Sequence, residues 1–286
     1  MTPSTKLRHD VGTITIGGDL TVARLGFGAM RITGRGVWGD PPDRKAAIAL
    51  LRHVVERGVN FIDTADSYGP AVSETLIAEA LHPYPSGLVI ATKGGLVRPS
   101  PERWDPDCRP AHLRQACDDS LKRLRLERID LYQLHAIDSR VPLQDSIGAL
   151  VDLQKAGKIR HIGVSNVNLR ELAEARKLAT IVSVQNRYNL EDRTHDDVID
   201  ACTRDGLAFI PWYPLGAGAL AGARSKLASV ARHHQATPSQ VAIAWLLRRS
   251  PAMLPIPGTS SMAHFDENLA AARLLLTQDE LAALAG

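Results

Sequence analysis

The sequence predicts an α/β protein, a (β/α)8 TIM barrel with a short N-terminal β-hairpin. Eight short apolar segments typical of strands alternate with eight amphipathic segments long enough to be helices. The strand segments, for example residues 88–92, are almost continuously apolar, as in a parallel sheet covered by helices on both faces. Eight such units can form an open doubly wound sheet or a closed barrel. No Ser/Gly-rich linker divides the 286 residues, which favours the barrel and a single domain over residues 1–286.

The elements follow in order along the chain. Residues 13–22 alternate polar and apolar side chains around Gly17-Gly18 and predict the hairpin. The predicted strands are 25–28, 60–63, 88–92, 129–134, 159–164, 182–185, 207–211 and 253–256. The predicted helices are 43–57, 72–82, 110–126, 143–156, 168–178, 194–205, 237–249 and 261–273, with a short terminal helix after them. Two long loops, 29–42 and 94–109, are expected to be lids or pocket walls.

Composition excludes several classes of protein. The 34 basic and 31 acidic residues give a net charge of +3, too balanced to indicate a nucleic-acid partner. The three cysteines have no metal-ligand spacing, so no metal site is expected. The N-terminus lacks the apolar core of a signal peptide, and no apolar run approaches the roughly 18 residues of a membrane span. We therefore expect a cytoplasmic protein without membrane contact.

Polar or aromatic side chains that can bind or catalyse follow six consecutive predicted strands. Barrel active sites lie at the carboxyl ends of the strands, so the position of these side chains predicts one shared site. If these positions served only to pack the core, Val, Ile and Leu would be sufficient there. The residues are Asp63, Lys93, His135, Ser165, Asn166, Gln185, Trp212 and Tyr213.

Three of these residues, Asp63, Lys93 and His135, together with Tyr68, suggest acid catalysis on a carbonyl compound. Tyr68 lies five residues beyond Asp63, far enough to fold back over the barrel rim. A neighbouring Lys93 ammonium would stabilise the phenolate and lower the pKa of Tyr68 from its ordinary value of about 10. Asp63 would keep a buried Lys93 charged, and His135 would orient the carbonyl oxygen.

The motifs FIDTADSYG, ATKGG, DLYQLH, GKIRHIGVSNV, VQNRYNL, PWYPLGAG and IPGTSSMAHFDENLAA, in this order, resemble the aldo-keto reductase family over nearly the whole chain. The resemblance implies reduction of aldehydes or ketones with a nicotinamide cofactor, normally NADPH. It implies that Asp63, Tyr68, Lys93 and His135 are catalytic, with Tyr68 the proton donor. The implied cofactor contacts before the tail are Gly28, Ala29, Met30, Asp63, Ser165, Asn166, Gln185, Trp212, Tyr213, Pro214, Leu215 and Gly216.

The tail resembles the family's binding segment for the adenosine 2′-phosphate. Its implied contacts are Gly258, Thr259, Ser260, Ser261, His264, Glu267 and Asn268. The family often has Lys and Arg where this chain has Gly258 and His264, and only Arg binds phosphate bidentately. The start of the last barrel helix can still bind a phosphate, so NADPH is expected, with NADH less favoured.

Within the family, four segments resemble bacterial members that are similar to pyridoxal reductases: RLGFGAMRITGRGVWG, AEARKLA, QVAIAWLLRRSP and IPGTSSMAHFDEN. The resemblance makes pyridoxal or another small or aromatic aldehyde a candidate substrate. The expected substrate contacts are Ile32, Trp38, Tyr68, Trp104, His135 and Tyr213. A monomer or weak homo-oligomer is expected.

Two alternatives from other classes stay open. A Schiff-base lyase would use Lys93 as a nucleophile, although pairing with Asp63 would keep that lysine charged. A regulatory subunit would bind the cofactor chiefly to control a partner protein.

Overall fold

The structure is a computed structural model that describes residues 7, 10–216 and 226–285. The strands are β1 (Thr13–Ile16), β2 (Leu20–Ala23), β3 (Phe27–Gly28), β4 (Phe61–Asp63), β5 (Val89–Gly94), β6 (Leu96–Ser100), β7 (Arg103–Pro106), β8 (Ile129–Leu134), β9 (Ile159–Ser165), β10 (Ile181–Gln185) and β11 (Ala208–Phe209). The helices are α1 (Arg44–Glu56), α2 (Val72–Leu81), α3 (Pro110–Leu124), α4 (Leu143–Lys155), α5 (Leu169–Leu178), α6 (Asp196–Asp205), α7 (Lys226–His233), α8 (Pro238–Arg249), α9 (Met262–Ala270) and α10 (Gln278–Ala285). Two short 3₁₀ helices cover Ala29–Ile32 and Ala271–Arg273.

Seven parallel strands form one curled sheet in the order β11-β10-β9-β8-β5-β4-β3. The segment 252–256, where the sequence predicted an eighth strand, hydrogen-bonds to both edges of this sheet. Leu254 donates its backbone N–H to Phe209 of β11 at 2.9 Å, and Gly26, just before β3, donates to Pro255 at 2.9 Å. The two edge strands are therefore connected through this segment.

The α/β alternation agrees closely with the expected one, and seven of the eight predicted helices end within two residues of their predicted bounds. Two elements were missed. The predicted loop 94–109 contains the antiparallel hairpin β6–β7, in which Val97 pairs with Asp105. Helix α7 buries Leu227, Ala228, Val230 and Ala231 on one side.

The N-terminal hairpin β1–β2 covers the amino-terminal end of the sheet. Ile16, Leu20 and Val22 form one buried cluster with the first residues of several strands, among them Phe61 and Val89. A side chain at the turn residue Gly17 would begin 2.4 Å from the His161 ring, so the turn packs directly on β9. Access to the interior is consequently left to the opposite, carboxyl end of the strands.

The helices pack their apolar faces on the outer surface of the sheet. Helix α1 shows the pattern: the Asp43 side chain accepts a hydrogen bond from the Ala46 N–H at 2.9 Å, which caps the helix, and Leu50, Leu51 and Val54 are buried. Among the described residues, no helix combines the length and apolar character that crossing a bilayer requires.

Candidate active site

The buried side chain of Lys93 connects Asp63 with Tyr68 at the carboxyl end of the sheet. Lys93 lies near the end of β5, its side chain is fully buried, and Asp63 is the last residue of β4. The ammonium Nζ donates to Asp63 Oδ1 at 2.5 Å, to the Thr64 carbonyl oxygen at 2.7 Å and to Tyr68 Oη at 3.4 Å. The expected juxtaposition of these three residues is therefore present in the structure.

The turn after β4 places Tyr68 over the strand ends. Its N–H donates to the Ala65 carbonyl oxygen at 3.2 Å, and the following Gly69 has a φ of 104°, which a residue with a side chain rarely adopts. The His135 ring, directly after β8, meets the Tyr68 ring edge-on with 5.9 Å between centroids. The four side chains predicted to be catalytic, Asp63, Lys93, Tyr68 and His135, therefore lie next to one another.

Two amides hold the second carboxylate oxygen of Asp63. Gln185 Nε2 donates to Asp63 Oδ2 at 2.8 Å and Gln133 Nε2 at 3.3 Å. The carboxylate is thereby satisfied on both oxygens although it is buried, as a buried charge requires. Gln133 was not anticipated from the sequence, because it lies inside strand β8 rather than just beyond it.

Burial decides the protonation states at this site. It raises the pKa of Tyr68 above its ordinary value, and the opposing charge of Lys93 does not outweigh it. The expected lowering of the Tyr68 pKa is therefore not found, because the sequence could not indicate how completely this phenol is removed from water.

The pKa values of Lys93 and His135 are also shifted, in directions that leave one cation beside the Tyr68 phenol. Burial alone would lower the pKa of Lys93, but the charge of Asp63 and the contact with Tyr68 raise it above its usual value. Burial lowers the pKa of His135 well below its usual value, and the charge on Lys93 adds to this effect. Lys93 is charged and His135 neutral at neutral pH.

A cavity of about 550 Å³ opens above these four residues. It is lined by most of the predicted cofactor contacts and by aromatic side chains expected to contact substrate. The lining residues are Gly28, Met30, Arg31, Asp63, Tyr68, Leu96, Trp104, His135, Ser165, Asn166, Gln185, Trp212, Tyr213, Pro214, Leu215, Ile256, Pro257 and Gly258.

Hydrogen bonds fix the side of the cavity near β9 and β10. Trp212 Nε1 donates to Asn166 Oδ1 at 2.9 Å, and Asn166 Nδ2 donates to the His135 carbonyl oxygen at 2.9 Å. The Ser165 hydroxyl donates to the Gln185 carbonyl oxygen at 2.7 Å. The Trp212 ring is therefore connected through Asn166 to the backbone of His135.

Two predicted substrate contacts lie elsewhere among the described residues. Ile32 is 1% exposed and packs in the core, because the 3₁₀ helix after β3 turns it inward. Trp38 is not among the residues that line the cavity; it faces Arg98, with the Arg98 Cζ 5.6 Å from its ring centroid. The expectation that these two residues line the pocket is corrected accordingly.

The predicted phosphate segment begins at the cavity and continues away from it. Gly258 lines the cavity, and the Ser261 side chain accepts from the His264 N–H at 3.3 Å, which caps helix α9. Thr259 Oγ1 accepts from the Ser261 N–H at 3.0 Å. The remaining predicted contacts Ala29, Gly216, Ser260, Glu267 and Asn268 lie outside the cavity lining.

Arg31 was not anticipated from the sequence. It is exposed, lines the cavity, and its Cγ lies 3.6 Å from the point where a side chain at Gly258 would begin. The signal was present in the sequence: a cationic residue follows directly on Gly28, Ala29 and Met30, which were expected to contact cofactor.

Comparison with known proteins establishes the family. A sequence model of the aldo/keto reductase family matches residues 24–286. The chain belongs to the aldo/keto reductase family. It is an oxidoreductase, and the resemblance noted in its motifs is confirmed.

Two curated relatives match nearly the whole aldo/keto reductase chain. An uncharacterized oxidoreductase of Schizosaccharomyces pombe is 49% identical over 273 residues, covering 96% of this chain and 89% of the relative. The pyridoxine 4-dehydrogenase of Escherichia coli is 47% identical over 280 residues, covering 96% of this chain and 97% of the relative.

The crystal structure of an aldo/keto reductase from Klebsiella pneumoniae in complex with NADP and acetate has a similar fold. It matches with a TM-score of 0.82 at 28% identity, over 95% of this chain and 93% of that one.

Proposed function

We propose that this enzyme reduces an aldehyde or ketone to an alcohol with NADPH, and that Tyr68 is the general acid. One observation carries the proposal: the buried Lys93 ammonium lies between Asp63 Oδ1 at 2.5 Å and Tyr68 Oη at 3.4 Å, beside His135 and at the wall of the cavity. This arrangement offers a proton and a stabilising cation to a carbonyl compound in the cavity.

Tyr68 supplies the proton to the carbonyl oxygen. Its raised pKa keeps the phenol protonated at neutral pH, so it is ready to donate. The phenolate that remains faces the Lys93 cation, which Asp63 holds in place. The Lys93 charge therefore stabilises the phenolate left after proton transfer more than it stabilises the neutral phenol.

His135 positions the carbonyl group. Its neutral ring carries one N–H donor, and its Nδ1 lies 3.4 Å from the Ser67 hydroxyl. A neutral imidazole donates a hydrogen bond to the carbonyl oxygen without competing with Tyr68 as proton source.

A nicotinamide nucleotide fits the described cavity. When bound, it supplies the hydride for the carbonyl carbon. Trp212 offers a flat aromatic face, and Ser165, Asn166 and Gln185 provide polar groups beside it. A side chain at Gly258 would begin 2.5 Å from the Gly28 carbonyl oxygen, so the backbones at Gly28 and Gly258 approach closely. Neither glycine has a side chain that would block a phosphate chain at this part of the cavity wall.

Preference for NADPH rests on the phosphate end of this cavity. The N–H groups at the start of α9 can bind an anion. Arg31 adds a guanidinium beside Gly258, the position at which the resemblance implied a lysine, and it can supply a positive charge there. NADH, without the 2′-phosphate, would gain nothing from Arg31.

Pyridoxal is the first candidate substrate. The similarity to a pyridoxine 4-dehydrogenase supports a pyridine aldehyde, and Tyr68, Trp104, Trp212 and Tyr213 give the cavity aromatic walls. A Schiff-base lyase is disfavoured, because the pKa of Lys93 is raised and a charged amine is no nucleophile.

We also infer that the curled sheet and the segment 252–256 close a single-domain (β/α)8 barrel, since that segment bonds to both sheet edges. This closure would bring the carboxyl ends of all strands around the one cavity.

The test is consumption of NADPH by the purified enzyme with pyridoxal, benzaldehyde and propanal, compared with NADH. We expect aldehyde-dependent loss of NADPH absorbance and a larger kcat/KM for NADPH than for NADH. Tight cofactor binding without turnover of any aldehyde would contradict the proposal and favour a regulatory role.

A further inference from the structure

Arg98 is a buried cation surrounded by backbone carbonyl groups. It lies in β6 and is 8% exposed. Its Nη1 donates to the carbonyl oxygens of Val37 at 2.9 Å and Ser67 at 3.4 Å. Its Nη2 donates to those of Gly36 at 3.0 Å and Pro101, and its Nε to that of Arg103 at 3.1 Å. All five N–H donors of the guanidinium are thus used.

These acceptors come from three separate parts of the chain. Gly36 and Val37 lie in the loop after β3, Ser67 directly precedes Tyr68, and Pro101 and Arg103 lie at the turn of the β6–β7 hairpin. A planar, five-donor group can join three such segments, whereas a lysine ammonium has only three donors and no plane. Arg98 therefore connects the hairpin to the turn that carries Tyr68.

The same guanidinium lies over the ring of Trp104. Its Cζ is 3.6 Å from the Trp104 ring centroid, a contact distance for stacking and cation–π attraction. The Trp104 ring lines the cavity and meets the Tyr68 ring edge-on, with 6.3 Å between centroids. Arg98 thus fixes the orientation of an aromatic wall next to the proton donor.

We propose that Arg98 is a positioning residue that holds Trp104 as a flat wall of the substrate pocket and so selects carbonyl compounds with a planar aromatic ring. This rests on the proposed carbonyl reduction and adds the substrate class to it. Arg98 touches neither substrate nor cofactor; it acts through Trp104. An ordered indole gains a stacking contact from a flat ring that a short aliphatic aldehyde cannot provide.

The experiment is a double-mutant cycle with Arg98→Lys and Trp104→Ala, with Arg98→Gln as a second variant at the first position. Each enzyme is assayed with NADPH on benzaldehyde and propanal. Arg103→Gln is the matched control: it removes a cation from the same hairpin, but its side chain is exposed and pairs with Asp105 at the surface.

We expect Arg98→Lys to lower the ratio of kcat/KM for benzaldehyde to that for propanal about tenfold, mostly through KM for benzaldehyde. Trp104→Ala should do the same, and the double variant should lose little more, because both changes remove one wall. Additive losses, or a wild-type ratio in both Arg98 variants, would overturn the proposal. Failure of both Arg98 variants to fold would assign the residue to global stability and also overturn it.

A readout without turnover separates this proposal from the proposed function. Quenching of tryptophan fluorescence by iodide, compared with and without Trp104→Phe, reports the accessibility of Trp104 alone. It should increase in Arg98→Lys and stay unchanged in Arg103→Gln. If the wild-type enzyme reduces no aldehyde, the proposed function fails, and an unchanged accessibility of Trp104 would independently refute the role of Arg98.

Discussion

Replacement of Tyr68 by phenylalanine removes one oxygen atom and leaves the ring in place. Lys93 loses its weakest acceptor, at 3.4 Å, and keeps Asp63 Oδ1 at 2.5 Å and the Thr64 carbonyl oxygen at 2.7 Å. The buried charge therefore stays paired, and the free energy of unfolding should change by no more than about 1 kcal/mol.

The effect on turnover should be far larger. General acid catalysis contributes about 10²- to 10⁴-fold, which corresponds to roughly 3–5 kcal/mol of the activation barrier. We expect kcat of the Tyr68→Phe variant with pyridoxal to fall by that factor, while the Kd for NADPH is unchanged. Initial rates of NADPH consumption and calorimetric titration of the cofactor measure the two quantities.

A matched control is Tyr84→Phe. The Tyr84 hydroxyl makes a partly buried hydrogen bond, donating to the Leu124 carbonyl oxygen at 2.7 Å, but it lies outside the cavity lining. Its loss should cost about 1 kcal/mol of stability and leave kcat intact. If Tyr68→Phe kept more than about a tenth of wild-type turnover, a loss well short of the usual range for a general acid, the role of Tyr68 would be refuted.

Three further predictions concern charge. Because the pKa of Tyr68 is raised, kcat/KM for reduction should be constant through neutral pH and fall only above about pH 10. Alcohol oxidation needs the phenolate, so its rate should increase as the pH rises. A decrease of kcat/KM for reduction near pH 7 would contradict this prediction. Asp63→Asn leaves the fully buried Lys93 ammonium without its counter-charge and should lower stability by about 3–5 kcal/mol in urea unfolding; an unchanged midpoint would show that the pair is dispensable. Arg31→Gln should raise the Kd for NADPH and for 2′,5′-ADP about tenfold and change the Kd for NADH little, as measured by calorimetry. An equal loss of affinity for NADPH and NADH would place Arg31 away from the 2′-phosphate.

The sequence was informative wherever position along a strand decides what a side chain can reach. Asp63 and Lys93 lie at or near the carboxyl ends of neighbouring parallel strands, so their contact follows from the order of the elements. The helices were located from the periodicity of their apolar residues, because each helix must bury one face.

Other features depend on properties that residue types do not encode. The raised pKa of Tyr68 reflects the depth of its burial, which only the assembled site defines. The burial of Ile32 and the position of Trp38 next to Arg98 follow from the path of the backbone after β3. The acceptors of Arg98 are main-chain carbonyl groups, which every residue possesses, so no sequence pattern marks them.

The division of labour between strand ends and the β6–β7 hairpin has an evolutionary consequence. The proposed proton donor Tyr68 and its partners Asp63 and Lys93 lie at or directly after strands of the central sheet, whereas the Trp104 indole that lines the cavity belongs to a peripheral ribbon of eleven residues, Leu96 to Pro106. Exchange of this ribbon between homologous enzymes would offer a route to new selectivity while the chemical step is inherited unchanged, provided that the incoming ribbon carries an arginine able to reach the carbonyl groups of Gly36, Val37 and Ser67.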